Sequence, residues 1–281
     1  MKIGAVVQAR TSSTRLPGKV LKELPMGSGV TVLEQVIRRL KQSKKLDEIV
    51  IATTEDEADN PIVEIARKED VRYFRGSLDN VLERYYLAAQ ENHLDVIVRI
   101  TSDCPCIDPG IIDTLVENHL ENGADYTSNS LIRTFPHGLD VEVVNFRVLE
   151  TAHKDASESF EREHVTPYIY NRPKKFRINK FKAPKELTAP DIRITLDTEE
   201  DYCLLCAVFD YLHQDNEFFP ASSIINLFKE KPWLKLINKK IIQKRVFDNL
   251  DDEIKAALQV LDLQDMDGAK KFLEDAYFKS P

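Results

Sequence analysis

Three cations stand within ten residues near the start of the chain: Arg10, Arg15 and Lys19. They share their stretch with Thr11, Ser12, Ser13, Thr14 and Gly18, directly after a short apolar run. Fixed cations beside exposed backbone N–H groups suit a polyphosphate. The stretch lacks the Gly-Lys-Ser/Thr of a P-loop and two of the three glycines of the dinucleotide fingerprint. Taken alone, Pro17-Gly18 is an ordinary turn signal, and arginines are usually solvated. Two carboxylates could complement the cations. Asp103 directly follows an apolar run, so its carboxylate projects at the C-terminal edge of a strand; it could equally cap the turn before Pro105. Asp197 precedes Thr198, Glu199 and Glu200, so it could also cap a helix with acidic first-turn residues. Mg²⁺ prefers oxygen ligands and usually sits on one or two carboxylates plus phosphate oxygens.

The surrounding elements must bring these residues together. Residues 2–7, 48–52, 71–74 and 95–100 read as strands. Residues 31–42, 61–68, 78–92 and 109–122 read as helices, with Asn60 and Asp108 as N-caps and Pro61 and Pro109 in the first turns. Strand–helix alternation predicts an α/β fold with a mostly parallel sheet and helices on both faces. The cationic stretch then follows the first strand, where such folds bind nucleotides. The second half is less regular: strands at 139–145, 176–181 and 192–196, the second as an antiparallel edge, and helices at 159–170 and after Asp197. Beyond residue 216 only short helices are expected, at 222–228, 239–247, 251–261 and 267–277. The domain reading is therefore 1–215 for the α/β part and 216–281 for a helical C-terminal extension.

Composition excludes several classes. The 281-residue chain carries 39 Lys+Arg and 47 Asp+Glu, a formal net charge of -8. An acidic chain without a basic run is a poor nucleic-acid binder. No apolar run reaches membrane-spanning length, and no signal-peptide pattern follows Met1-Lys2. Four sparse cysteines fit a reducing cytoplasm. Cys203 and Cys206 fall in an apolar helical pattern and read as buried and inert; Cys104 and Cys106 flank Pro105 and read as neighbours of a site, not as ligands.

Six words of the sequence carry a resemblance. They are Gln8-Ala-Arg-Thr-Ser-Ser-Thr-Arg-Leu-Pro-Gly-Lys19, Arg75-Gly-Ser-Leu-Asp-Asn-Val-Leu-Glu-Arg-Tyr85, Arg99-Ile-Thr-Ser-Asp-Cys-Pro-Cys-Ile-Asp-Pro109, His137-Gly-Leu-Asp-Val-Glu-Val143, Glu161-Arg-Glu-His-Val-Thr-Pro-Tyr168 and Arg193-Ile-Thr-Leu-Asp-Thr-Glu-Glu-Asp201. In this order, over residues 1–215, they resemble the cytidylyltransferases that activate acidic sugars, and most of all the cytidylyltransferase-like proteins of spore-coat polysaccharide biosynthesis. The resemblance implies a Rossmann-like nucleotide-diphospho-sugar transferase fold. It implies Mg²⁺-dependent transfer of CMP from CTP to a 2-keto sugar acid, in a cytoplasmic homodimer.

The same resemblance distributes the roles. Arg10, Arg15 and Lys19 face the phosphates, and Asp103 and Asp197 hold the metal. Gln8, Ala9, Arg10, Thr53, Thr54, Arg75, Gly76, Ser77 and Asp79 face the nucleotide. His137, Asp140, Glu142, Arg162, His164 and Tyr168 face the sugar or the dimer partner. Asp140 and Glu142 would share one side of a strand, and His164 and Tyr168 one face of a helix. The Kdo enzymes have Gly-Asp-Glu-Pro-Leu where this chain has Ser102-Asp-Cys-Pro-Cys106, which argues against Kdo itself as substrate. Transfer to a sugar 1-phosphate with another nucleotide, and a glycosyltransferase of related fold, remain open alternatives.

Overall fold

Each early strand alternates its side chains between two apolar layers, and that alternation defines the sheet. In β1 (Ile3–Gln8), Ala5 and Val7 enter one core and Val6 the other. β2 (Glu48–Thr54) and β4 (Val96–Thr101) do the same, with Ile51 and Val98 opposite Val50 and Ile97. The computed structural model describes residues 1–241 and 250–278. Adding β3 (Arg72–Gly76), β5 (Tyr126–Ser128), β6 (Glu142–Asn145) and β7 (Ile178–Lys180) gives a seven-stranded sheet in the order β3-β2-β1-β4-β6-β5-β7. Only β6 runs against the rest.

Helices cover both faces. α1 (Val32–Leu40), α2 (Asn60–Lys68) and α4 (Pro109–Glu121) pack on one core, α3 (Val81–Glu91) and α5 (Phe146–Asp155) on the other. Thr31 and Glu34 form a capping box at α1, and Asp108 caps α4 through the N–H groups of Gly110 and Ile111. At α2 the cap is Asp59 rather than Asn60. Among the described residues, no helix is long and apolar enough to cross a membrane.

The second half departs from expectation in several places. β7 is an edge strand, but it pairs parallel to β5. Residues 192–196 form no ladder and contribute a single bridge between His137 and Arg193. The helix expected over 159–170 breaks into α6 (Ser159–His164) and α7 (Pro167–Tyr170) at Val165, whose φ is 73°. Proline at position 167 starts the second piece.

The expected boundary at 215/216 also moves. Met1–Ile237 is one compact unit and Asn238–Pro281 a second. α8 (Glu199–Leu212) leads into residues that pack on the core of the first unit. Phe219 is buried edge-on against Phe209 at 5.1 Å. The buried Arg39 guanidinium lies 4.1 Å from the Phe219 ring and donates to its carbonyl at 3.0 Å. Asp108 accepts the N–H of Ala221 at 2.7 Å, fixing the start of α9 (Ala221–Glu230). Trp233, by contrast, is half exposed while Leu234 beside it is buried. In the second unit, α10 (Leu250–Leu263) and α11 (Asp267–Phe278) pair with each other and bury no residue fully. The helix expected at 239–247 falls mostly outside the described residues.

Candidate active site

The strand order places β2 and β3 on one side of β1 and β4 on the other, so the direction of winding switches between β1 and β4. Open α/β sheets bind ligands at the C-terminal ends of the strands at such a switch. Gln8 and Thr101 face each other there in register, and the cationic loop and Asp103 follow them.

The loop is held by its apolar residues and by one acid. Leu16 and Val20 are buried in the core, which leaves Arg15 and Lys19, one position earlier in each case, directed at the strand ends. Gly18, at φ 66°, provides the left-handed turn into a 3-10 turn at Lys19–Leu21. Asp59 accepts the N–H and hydroxyl of Thr11, both at 2.7 Å, and the hydroxyl of Thr54 at 2.5 Å. It thereby ties the loop after β1 to the end of β2. Burial opposes ionisation of Asp59, but these donors hold its pKa below the usual carboxylate range. Nothing local in the sequence marks this role: Asp59-Asn60-Pro61 signals only a helix start.

Lys19 Nζ sits between two carboxylates, 2.7 Å from Asp103 Oδ2 and 3.0 Å from Asp197 Oδ1. Arg15 adds a contact of 2.9 Å to Asp197 Oδ1. Residues 94 positions apart in sequence meet because the chain at 195–197 is laced to Asp103. Leu196 N–H and the Thr195 hydroxyl both donate to the Asp103 carbonyl, at 2.8 and 3.2 Å. Burial works to raise the Asp197 pKa, yet Lys19, Arg193 and Arg15 outweigh it and bring it down to about 2. Asp103 is lowered too, burial and the Asp197 charge being overcome by Lys19. Lys19 is raised: its two acids prevail over burial. All three groups are therefore charged at neutral pH.

Behind this cluster lies a second one. Arg193 donates to Asp197 Oδ2 at 2.9 Å, to Asp201 twice, and to His137 Nδ1 at 3.0 Å. The backbones of His137 and residues 192–194 bond to each other, and Gly138, at φ 112°, lies so close that a Cβ would stand 2.6 Å from the Ile194 carbonyl oxygen. Only glycine fits that crossing. His137 Nε2 is 3.6 Å from Asp140, which Arg133 grips with both terminal guanidinium nitrogens. Burial, then Arg133 and Arg193, lower the His137 pKa against the pull of Asp140.

The other expected site residues are spread along the same edge or committed elsewhere. Ala9 is buried and its N–H donates to Ala52. Arg10 is exposed, and its charge joins burial in lowering the pKa of Arg84. Thr53 and Thr54 end β2 in the interior. Arg75 clamps that loop through Thr54 O, Asp56 O and Asn60 Oδ1. Gly76 packs against Phe74 and Arg84, Ser77 accepts from Asn80 N–H, and Asp79 is exposed.

Asp140 lies before β6 and Glu142 inside it, and they do not share partners. Glu142 joins Arg99, Tyr126 and Thr166 in an interior network, while Arg99 reaches Gln8 at 3.2 Å. Arg162 donates to Ala156 O, and exposed His164 lies against Phe160. Tyr168 is buried, bonded to Asp155 and covered by Arg172. The break at Val165 thus separates His164 and Tyr168, which share no helix face.

The cysteine reading is half corrected. Cys104 and Cys106 are buried, and burial raises both thiol pKa values. Cys203 is exposed and Cys206 half-buried, because the first turns of α8 face outward on that side.

Among the described residues, no cluster of three or more His, Cys, Asp or Glu side chains is placed to hold a metal ion by itself. The paired ionised carboxylates instead suit a cation that arrives with phosphate oxygens of its own.

The chain is similar to known proteins over most of its length. A family model described as cytidylyltransferase matches residues 5–248. The chain is 37% identical over 232 residues to the spore coat polysaccharide biosynthesis protein SpsF of Bacillus subtilis, covering 81% of this chain and 94% of that protein. It is 42% identical over 247 residues to an uncharacterized protein of Methanocaldococcus jannaschii, covering 87% and 97%. A solved cytidylyltransferase from Leptospira borgpetersenii superposes with a TM-score of 0.79 at 36% identity, covering 87% of this chain and all of that one. With its sheet, its switch-point site and these relatives, the chain is a nucleotidyltransferase and belongs to the cytidylyltransferase family.

Proposed function

We propose that this protein transfers CMP from CTP to a hydroxyl of an acidic sugar of the 2-keto type, releasing pyrophosphate, in the biosynthesis of a surface polysaccharide or glycoconjugate. The supporting observation is the position of Lys19 between Asp103 and Asp197, with Arg15 on the same carboxylate, at the switch point of the sheet. Arg10, Arg15 and Lys19 bind the triphosphate. Gln8, Ala9, Thr53, Thr54, Arg75, Gly76, Ser77 and Asp79 line the strand ends that take base and ribose.

Asp103 and Asp197 fit a divalent cation such as Mg²⁺, since both are ionised and both already face one positive charge. When bound, such a cation spreads the phosphate charge and acidifies a coordinated hydroxyl. In the transfer the acceptor oxygen bonds to the α-phosphorus, the bond from that phosphorus to the α–β bridging oxygen breaks with its electron pair going to the departing pyrophosphate, and the hydroxyl proton passes to water. Lys19, protonated at neutral pH, offers its ammonium to the pyrophosphate as charge accumulates there. His137 stands next to Arg193 and Asp140 next to His137, on the side of the site from which the sugar is proposed to enter; Glu142, Arg162, His164 and Tyr168 support that side from the interior and from α6 and α7. A homodimer and a cytoplasmic location complete this reading.

The test is pyrophosphate release from a panel of nucleoside triphosphates, each offered with acidic sugars and sugar 1-phosphates. CTP with a 2-keto sugar acid is expected to react, and Asp103→Asn to lower the rate by about 10²–10³ with the fold retained. Reaction only between another nucleotide and a sugar 1-phosphate, or sugar-nucleotide hydrolysis indifferent to CTP, would contradict the proposal.

A further inference from the structure

The geometry points to Arg193 and Asp201 as a positioning pair that aims the Asp197 carboxylate and selects the His137 tautomer. The inference rests on the proposed role of Asp197 toward a cation bound with CTP.

Asp201 is fully buried in the first turn of α8. Its Oδ1 accepts Arg193 Nε at 2.9 Å and its Oδ2 accepts Nη2 at 2.8 Å, so the fork is gripped side-on. That grip fixes the guanidinium plane and leaves two further bonds in defined directions. One runs from Nη2 to Asp197 Oδ2 at 2.9 Å, and the other from Nη1 to His137 Nδ1 at 3.0 Å. Asp201 Oδ2 also accepts the Asp197 N–H at 3.0 Å. Asp197 is thus held at its backbone by Asp201 and at its carboxylate by Arg193. With Oδ2 engaged, Oδ1 is the oxygen turned to Lys19 and Arg15.

The same fork decides the state of His137. A guanidinium only donates, so Nδ1 must accept, and the ring hydrogen of the neutral imidazole lies on Nε2, toward Asp140. His137 therefore presents a donor to that side of the site and cannot take a proton at Nδ1 while Arg193 is in place. One planar group links the carboxylate that faces the cation to the loop that faces the sugar. A lysine at 193 keeps the charge but cannot make four bonds in one plane.

Partners of this kind, one step behind a ligand, typically change cation affinity by about 10–100-fold. The test is titration calorimetry of CTP binding, with and without Mn²⁺, in the absence of any sugar. Wild type, Arg193→Lys and Asp201→Asn are compared, the second variant covering a failure of the first to fold, with melting points as the check on folding. The expected result is weakening of about 10–100-fold with Mn²⁺ present and less than about threefold without it. Variants that bind CTP and Mn²⁺ like wild type overturn the inference. Equal weakening with and without Mn²⁺ also overturns it, since that is what loss of general structure produces. A wild type that binds no CTP with Mn²⁺ refutes the functional proposal itself and removes the role of Asp197 with it.

Discussion

Replacing Lys19 by methionine removes the one ammonium that separates Asp103 from Asp197. Because both carboxylates touch the same nitrogen, their nearest oxygens lie within about 6 Å of each other, and at an effective dielectric constant of about 20 two such charges repel by about 3 kcal/mol. Arg15 and Arg193 still neutralise Asp197, whereas Asp103 loses its main counter-charge. The expected loss of unfolding free energy is about 2–3 kcal/mol at pH 7, which for a chain of this size lowers the melting point by about 5–10 °C. The pH dependence carries the stronger constraint. Both acids have folded pKa values below their unfolded ones, so their contribution is complete above about pH 4 and disappears as pH falls toward the Asp197 value of about 2. Lys19 is shifted the other way, so its contribution is complete below its ordinary 10.5 and disappears as pH rises through the higher folded value. The difference between wild type and variant should form a plateau from about pH 4 to about pH 10 and shrink on either side. Urea denaturation at a series of pH values measures it. Equal stability of the two proteins at pH 7, or a difference that grows as pH falls below about 3, would show that Lys19 does not hold the two carboxylates in their charged forms.

Two further outcomes follow from the supports of the site. Asp59→Ala frees the Thr11 N–H, the Thr11 hydroxyl and the Thr54 hydroxyl together, and should raise the KM for CTP by about tenfold, with a stability loss of about 1–3 kcal/mol; an unchanged KM in steady-state kinetics would show that the tie to the cationic loop is idle. Asp108→Ala removes the cap of α4 and the anchor of Ala221 in one step and should cost about 2–3 kcal/mol by urea denaturation while leaving CTP binding intact; loss below about 0.5 kcal/mol would contradict the anchoring of residues 216–237 on the sheet core of their own unit.

The first half of the fold was legible because its signals are local. Val32, Leu33, Val36, Ile37 and Leu40 repeat at helical spacing, and the Thr31 cap stands directly ahead of them. Asp108 followed by Pro109 is a local helix-start signal, and α4 starts there. The meeting of Lys19 with Asp103 and Asp197 was legible as words of a family, not as geometry, since no spacing rule joins positions 19, 103 and 197. What stayed hidden depends on pairing across the chain. β5 is three residues long and exists because β6 and β7 flank it. Residues 192–196 alternate like a strand but spend their backbone bonds on His137 and Asp103. Glu142 reads as a site acid until Arg99, Tyr126 and Thr166 are seen to surround it. Asp201 reads as a first-turn acid at a helix start, and nothing short of the folded chain shows that it holds Arg193.

The anomalous scattering of Mn²⁺ in crystals grown with CTP would locate the cation outright. A single strong peak is expected in contact with carboxylate oxygens of both Asp103 and Asp197, with the triphosphate across Arg15 and Lys19 at the ends of β1 and β4. A peak elsewhere in the molecule, or a nucleotide seated away from those strand ends, would contradict that placement.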